Sequence, residues 1–600
     1  MKMRVAEYMA EFFTSHGIEH CFMVTGGGAM HLDDAFTHQE GLKCVFNHHE
    51  QACAIAAEAY MRYCGKLPLV CVTSGPGGTN ALTGVLGAWL DSVPMFVVSG
   101  QVKRVTTIHA TDAKVRQIGD QEFNIVDCVA PMTKYAVFVD DENSIAYHLE
   151  KAYDLCKRGR GGPVWLDIPL DVQAAVIQTE ELRHYSSEEE YPQDIRYEER
   201  YTKQIIEKIT NAKRPVILAG TGIRLGGARE LFLKVIDRLQ IPVVTAWNAH
   251  DVIWDAHPLY AGRPGTIGTR GGNFIVQNSD LFISLGCRMN IRQISYNYDD
   301  FAKDAYKIIV DIDAEELKKH TVHPDLAIHA DVKDVLQSLL DSGYTSTSEI
   351  HRKWLAWCRK TDKRYPAVLP AYYERKSPVN PYVFMKELFE RLDDEETVVT
   401  GNGSACVISF QAAVIKKGTR LFTNSGCATM GYGLPAALGV SFAKKGKRVV
   451  CLDGDGSIQM NLQELQTIVY NNANVKIFVL NNDGYHSMRQ TQKNLFHGEL
   501  AGVSKENGIS FPDMEKIAYA YGIPYVRICD TQSIAKQALL TMESPGPAIC
   551  EVILDKEQFF EPKLSSKVMP DGKIVSPAID DLSPFLSREE YLENKNQFLI

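Results

Sequence analysis

Along the first 180 residues, short and mostly apolar runs alternate with stretches whose apolar positions recur at helical spacing. The runs are Glu19–Val24, Lys43–Phe46, Leu67–Val72, Met95–Ser99 and Val164–Ile168. Such runs predict strands buried on both faces. The stretches between them, one from about Glu50 to Tyr63, predict the helices that cover a parallel sheet. The alternation restarts at Arg214-Pro215 with Val216–Ala219, Ile241–Ala246, Leu281–Leu285 and Lys307–Ile312, and fades near Ser342–Ser348. A third block from about Pro378 holds Glu396–Thr400, Arg448–Leu452, Val475–Leu480 and Ala548–Ile553. The charged, tyrosine-rich stretch Glu180–Arg200 reads as a linker. The last forty residues, which contain PKLSSKVMPDGK, read as an extended tail or lid. The expectation is an α/β protein with three doubly wound parallel-sheet domains at 1–185, 195–345 and 375–560, followed by a tail at 561–600. Blocks one and three look alike in plan.

Composition narrows the class without naming a function. A chain of 600 residues is too long for one core. With 45% hydrophobic and 23% charged residues it is an ordinary globular composition, which excludes disorder. A net charge of −10 argues against a nucleic-acid binder. The 14 cysteines are scattered with no C-x-x-C pair, so neither a zinc site nor a disulfide framework is signalled. No run of 18 apolar residues occurs, and MKMRVAEYMAEFF has no signal-peptide core, so a cytoplasmic protein without a membrane span is expected.

The sharpest chemical signal is Leu452-Asp453-Gly454-Asp455-Gly456-Ser457, with Asn481-Asn482 ending the next strand. Between them, Asn461-x-x-Glu464 reads as a capping pair that opens a helix. Both polar ends then fall at the carboxyl edge of neighbouring parallel strands, where open α/β sheets bind ligands. Asp455 and Asn482 offer oxygens that suit a hard divalent cation such as Mg2+. Phosphate oxygens would fill the remaining positions, and glycines let backbone N–H groups approach the anion. Each dipeptide alone is a common turn; their register argues for a site.

GDGS followed by NN, together with Asn47-His48-His49-Glu50-Gln51-Ala52 and Thr73-Ser74-Gly75-Pro76-Gly77-Gly78-Thr79-Asn80, resembles the motif set of the thiamine-diphosphate enzymes. Over nearly its whole length the chain resembles the acetolactate synthase catalytic-subunit family. The resemblance implies thiamine diphosphate and Mg2+ as cofactors. It makes Glu50 the catalytic carboxyl that hydrogen-bonds the aminopyrimidine ring, and Gln121 a residue facing the reacting centre. Ala52, Ile55 and Ala56 behind Glu50 predict partial desolvation and a raised pKa; a plain helix-start glutamate favoured by the dipole is the alternative. Thr73, Pro76 and Asn80 would wall the pyrimidine, and Thr25 and Gly26 would bind the cofactor as well. Asn402, Gly403, Ser404 and Ala405 would form the diphosphate-side loop, although Ser404 and Ala405 replace the family's usual Gln and His. Ala428 and Met430 belong to the stretch whose apolar side chain wedges between the cofactor rings, unless Met430 is simple core packing. Gly454, Asp455, Gly456, Ser457, Asn482, Gly484, Tyr485 and His486 would complete the cofactor side. Asp455, Asn482 and the Gly484 carbonyl would be the metal ligands. The adjacent His48 and His49 lack helical ligand spacing and read as packing or supporting groups.

In the middle block, Gly220-Thr221-Gly222, Thr245-Ala246-Trp247, Gly286-Cys287-Arg288, Asp311-Ile312-Asp313 and Ala330-Asp331-Val332 resemble the places where the family holds FAD. A lone G-x-G is weak, and Arg263-Pro264 stands where Met-His is usual, so FAD and an empty or differently filled domain both stand as readings. The implied activity is decarboxylation of a 2-oxo acid, pyruvate first, with carboligation to an acceptor. The implied assembly is a homodimer or homotetramer with active sites at the interface, with a small regulatory subunit as a further partner. Alternatives are a decarboxylase or carboligase acting on a larger or anionic substrate, and a flavin-dependent pyruvate oxidase. Thr491, where the family has a tryptophan, would widen the pocket. Arg489 beside it would either favour an anionic acceptor or point into solvent.

Overall fold

The computed structural model describes residues 1–190, 195, 197–496, 498–568 and 574–596. Three parallel sheets organise it, joined by helices. In the first sheet the strands lie side by side in the order Lys43–Phe46, His20–Met23, Leu69–Val72, Met95–Gln101, Pro163–Pro169, Tyr135–Phe138. In the third the order is Arg420–Phe422, Thr397–Thr400, Val449–Gly454, Val475–Asn481, Ala548–Ile553, Tyr525–Ile528. Taken in chain order, both sheets follow the same sequence, second-first-third-fourth-sixth-fifth, so blocks one and three share one topology. The middle sheet has five strands, Val243–Thr245, Pro215–Ala219, Leu281–Leu285, Tyr306–Asp311 and Leu326–His329, in that spatial order.

The central strands are those whose apolar runs announce them. Leu69–Val72, Met95–Gln101 and Pro163–Pro169 are buried at every position, as strands covered by helices on both faces must be. Tyr135–Phe138, Leu326–His329, Arg420–Phe422 and Tyr525–Ile528 carry no such signal. Each is the last strand at one side of its sheet and is partly exposed, so polar residues are tolerated and the periodicity is lost.

Buried charge clusters lock the blocks together. The Glu50–Cys64 helix lies along the Gly433–Ala443 helix. Across that seam the Tyr432 hydroxyl donates to Glu58 (2.7 Å), and Glu58 pairs with Arg62. Arg62 also pairs with Asp91 (2.9 Å), whose other oxygen accepts from the Gly426 N–H (2.9 Å). Asp251 of the middle block holds Arg224 (2.7 Å) and Arg420 (2.9 Å), and Arg160 of the first block reaches Asp313 (3.0 Å) and Glu316 (2.6 Å). Arg263 is buried, paired with Asp255 (2.8 Å), and donates to the Ala413 carbonyl (2.8 Å). It ties middle to third block. Removing one partner around Glu58, Asp251 or Arg263 leaves a buried charge uncompensated, whereas the Arg160 group is partly exposed.

The segment after Ile553 is strapped across the surface. Leu564 N–H donates to the Thr266 carbonyl (2.7 Å), Gln411 to the Pro562 carbonyl (2.7 Å) and Asn273 to the Ile579 carbonyl (2.8 Å). A helix Arg588–Asn596 follows. Within the expected linker, Ser187–Glu190 is helical, while 191–194 and 196 lie outside the described residues, as do 569–573 and 597–600 of the expected tail. No helix of the described residues is long and apolar enough to cross a membrane.

Candidate active site

Polar side chains gather at the carboxyl edge of the first sheet. Glu50 opens its helix directly after the Lys43–Phe46 strand and accepts from Asn80 Nδ2 (3.0 Å). Pro76 occupies the first turn of the Pro76–Leu90 helix, where its missing N–H is no loss. Thr73 Oγ1 accepts from the Gly28 N–H (3.1 Å), and the Gly26 N–H donates to Asp33 (3.0 Å), which brings the Thr25-Gly26 turn against Thr73. Gln121, in a left-handed conformation (φ 61°), brings its carbonyl against Gly75. Thr25, Gly26, Glu50, Thr73, Pro76, Asn80 and Gln121 therefore belong to one edge.

The third sheet supplies a second polar edge. Asp455 is buried and accepts from the Gly456 (3.0 Å) and Gly484 (2.9 Å) N–H groups. Burial pushes its carboxyl up to about 7, and it has no ion-pair partner among the described residues. Asn482 is buried, donates from Nδ2 to Ser404 Oγ (2.8 Å), and leaves Oδ1 buried without a partner. An unpartnered buried amide oxygen and a buried carboxyl held by two backbone N–H groups and no cation are the hard oxygen donors that Mg2+ takes. The residues present fit that ion. Gly484 holds φ 125°, and a β-carbon there would stand 1.8 Å from the Val503 carbonyl oxygen, so this turn admits only glycine.

Around this pair, Asn402 donates to the Ala428 carbonyl (3.2 Å), and Gly431 N–H, just after Met430, donates to Ser457 (3.2 Å). The Tyr485 ring lies against Gly456. Asn402, Gly403, Ser404, Ala428, Met430, Gly454 to Ser457, Asn482, Gly484 and Tyr485 therefore surround one edge, with Ala405 buried in the helix that Ser404 begins. His486 turns elsewhere: its Nε2 meets the Gln558 carbonyl (3.0 Å) and its ring packs on Phe560. Burial lowers its pKa to about 4 and keeps it neutral.

The two edges are connected within the chain. Asn461 Nδ2 donates to Gln51 (2.9 Å) and to the Gly431 carbonyl (2.8 Å). Glu464, fully buried, accepts from Asn47 Nδ2 (2.9 Å) and the His48 N–H (3.0 Å). This corrects the capping reading. The helix begins at Glu464 itself, and the Glu464 carboxylate is drawn to the loop that leads into Glu50, because that loop offers it two donors. Arg489 is a second correction. It is neither in an acceptor pocket nor in solvent but buried, donating to the carbonyls of Asn482 (2.9 Å) and Asp483 (2.5 Å). Thr491 is half-buried and its hydroxyl returns to the Ser487 carbonyl (3.0 Å).

The middle block carries a cleft of about 390 Å³ lined by Gly222, Trp247, Arg288, Asp311, Ile312 and Asp331 among others. Burial pushes Asp311 up to about 6. Arg292 sits over the Trp247 ring (5.6 Å) at the cleft margin. Arg263 does not line the cleft, being spent on the third block.

Comparison with known proteins agrees with this division. Residues 3–121 match the thiamine pyrophosphate enzyme N-terminal TPP binding domain, 202–339 the central domain and 401–552 the C-terminal TPP binding domain. The chain is 31% identical to the acetolactate synthase large subunit of Lactococcus lactis, over 93% of this chain and 94% of the relative. It is equally 31% identical to the isozyme 1 large subunit of Escherichia coli, covering 92% and 94%. The chloroplastic acetolactate synthase of Arabidopsis thaliana is also 31% identical, over 94% of this chain and 83% of that protein.

Proposed function

Because the chain belongs to the thiamine pyrophosphate enzymes, alongside the acetolactate synthase large subunits, we propose that it decarboxylates a 2-oxo acid, pyruvate first, and joins the remaining acyl unit to an acceptor. The observation that carries this reading is the unpartnered Asn482 Oδ1 near buried Asp455 on one sheet edge, matched by the Glu50–Asn80 pair on another. When bound, thiamine diphosphate supplies the electron sink for loss of CO2. Asp455, Asn482 and the Gly484 carbonyl would hold Mg2+, and the glycines of the Gly454–Ser457 turn would let the diphosphate approach the backbone. Glu50, kept in place by Asn80, would hold a proton at the aminopyrimidine ring. Met430 would keep the two rings bent, and Gln121 would face the acceptor.

The first-sheet edge is open on a single chain. Asn80 is exposed, and Val105, Val115, Ile118 and Phe123 present apolar surface near Gln121. A second copy covering this edge would exclude water from Glu50, which supports a homodimer or homotetramer with interface sites. The middle cleft fits FAD: glycine turns after strands admit a diphosphate, and Asp311 and Asp331 can meet hydroxyls. A small regulatory subunit and a cytoplasmic location complete the proposal. With Arg489 committed to carbonyls, the case for an anionic acceptor loses its cation, and only the smaller Thr491 side chain speaks for a larger one.

Proton NMR of purified protein with thiamine diphosphate, Mg2+ and pyruvate tests the reading. Acetolactate supports it; acetaldehyde alone assigns a decarboxylase. Oxygen uptake with flavin bleaching would replace it with an oxidase.

A further inference from the structure

We propose that Ser404 is the positioning residue that sets the amide of Asn482, so that Oδ1 rather than Nδ2 is offered to the divalent cation. The proposal rests on the reading of Asn482 as a metal ligand. An asparagine amide presents an oxygen or a nitrogen according to which way it is turned, and only the oxygen can ligate a hard cation. The fold takes up one of the two orientations, with the serine hydroxyl, able to donate or accept, acting as the acceptor. Nδ2 is engaged by Ser404 Oγ at 2.8 Å, and Oδ1 is left buried with no partner. Both side chains are buried, Ser404 at 6% and Asn482 at 5% exposure, so water cannot take over the role of the serine. The main chain of Asn482 is fixed separately, because its carbonyl accepts from Arg489 Nη1 (2.9 Å). The side-chain torsion is therefore the remaining freedom, and Ser404 limits it.

The placement of Ser404 is itself held by backbone geometry. It is the first residue of the Ser404–Ala412 helix, after Gly403 at φ 60°. That turn places the hydroxyl against Asn482 at the end of Val475–Asn481, the second strand along the sheet from Thr397–Thr400. Partners that orient metal ligands typically change metal affinity about 10–100-fold when removed.

The test uses Mn2+ as the probe, titrated into full-length protein in the presence of thiamine diphosphate and followed by the electron paramagnetic resonance signal of free Mn2+. Ser404→Ala should weaken Mn2+ binding about 10–100-fold. The same substitution made on Asn482→Asp should have almost no effect, because a carboxylate presents an oxygen whichever way it is turned. That loss of effect distinguishes orientation from general support of the fold, which would weaken both backgrounds alike. Equal weakening in both backgrounds, or unchanged binding in Ser404→Ala, overturns the positioning role while leaving Asn482 a ligand. Absence of Mn2+ binding in the unaltered protein overturns the ligand assignment and this inference with it.

Discussion

Gly484→Ala isolates the turn on which the metal edge depends. The added β-carbon would stand 1.8 Å from the Val503 carbonyl oxygen, which already accepts from the Tyr485 N–H (2.9 Å). The backbone must therefore move, and the Gly484 N–H leaves buried Asp455 (2.9 Å). Loss of a hydrogen bond to a charged group costs about 1.5–3 kcal/mol. Forcing an alanine into the left-handed region adds roughly 1–2 kcal/mol. Together about 3 kcal/mol falls on the loop that binds Mg2+ and diphosphate, or ~100-fold in affinity. Isothermal titration of Mg2+ with thiamine diphosphate reads this directly. Gly446→Ala is the control, since Gly446 has φ +79° with nothing within 4 Å of an added β-carbon. It should lose about 1 kcal/mol of stability and no affinity. Affinity of Gly484→Ala within threefold of the unaltered protein would refute the steric argument.

Replacing Arg489 by Met should weaken Mg2+ binding, because two carbonyls lose their donor, yet leave the ratio of kcat/KM for anionic and neutral acceptors unchanged; selective loss of anionic acceptors would contradict the buried placement. Tyr432→Phe removes the hydroxyl held by buried Glu58 and should cost about 2 kcal/mol, seen as a lower denaturation midpoint. Asp167 is buried among Ser99 and Gln101, and burial pushes it up to about 7 from 3.8. Between those pH values the folded state holds the proton and the unfolded state does not, so stability falls as pH rises from about 4 to about 7, by about 4 kcal/mol from this group. Denaturation of the unaltered protein and Asp167→Asn at several pH values should show the difference closing with that slope; parallel curves would rule burial out as its source.

Much of this was legible in the sequence where the signal is local. Val475–Asn481 and Val449–Gly454 announce themselves because strands covered on both faces are nearly all apolar, Lys476 and the end residues apart, and the motifs at their ends fix where the ligand edge falls. Edge strands such as Tyr525–Ile528 did not, since partial exposure relaxes their composition. What escaped entirely was contact between distant residues. Glu464 looked like a helix cap, but its carboxylate is taken by donors 417 and 416 residues away. Arg489 looked like a pocket or surface cation because nothing in its neighbours reveals two unpaired carbonyls folding back onto it. Ser404 read as a departure from a family pattern, and only the 2.8 Å contact with Asn482 gives it a task.

Decarboxylation of a 2-oxo acid should depend on Glu50 and on the Asp455 edge. Release of labelled CO2 from carboxyl-labelled 2-oxo acids, pyruvate first, measures it most directly, with and without thiamine diphosphate and Mg2+, in the unaltered protein and in Glu50→Gln. Release should require both cofactors and fall about 10²–10⁴-fold in Glu50→Gln while thiamine diphosphate still binds. Release that persists at full rate in Glu50→Gln, or no release from any 2-oxo acid with the cofactors bound, would contradict that expectation.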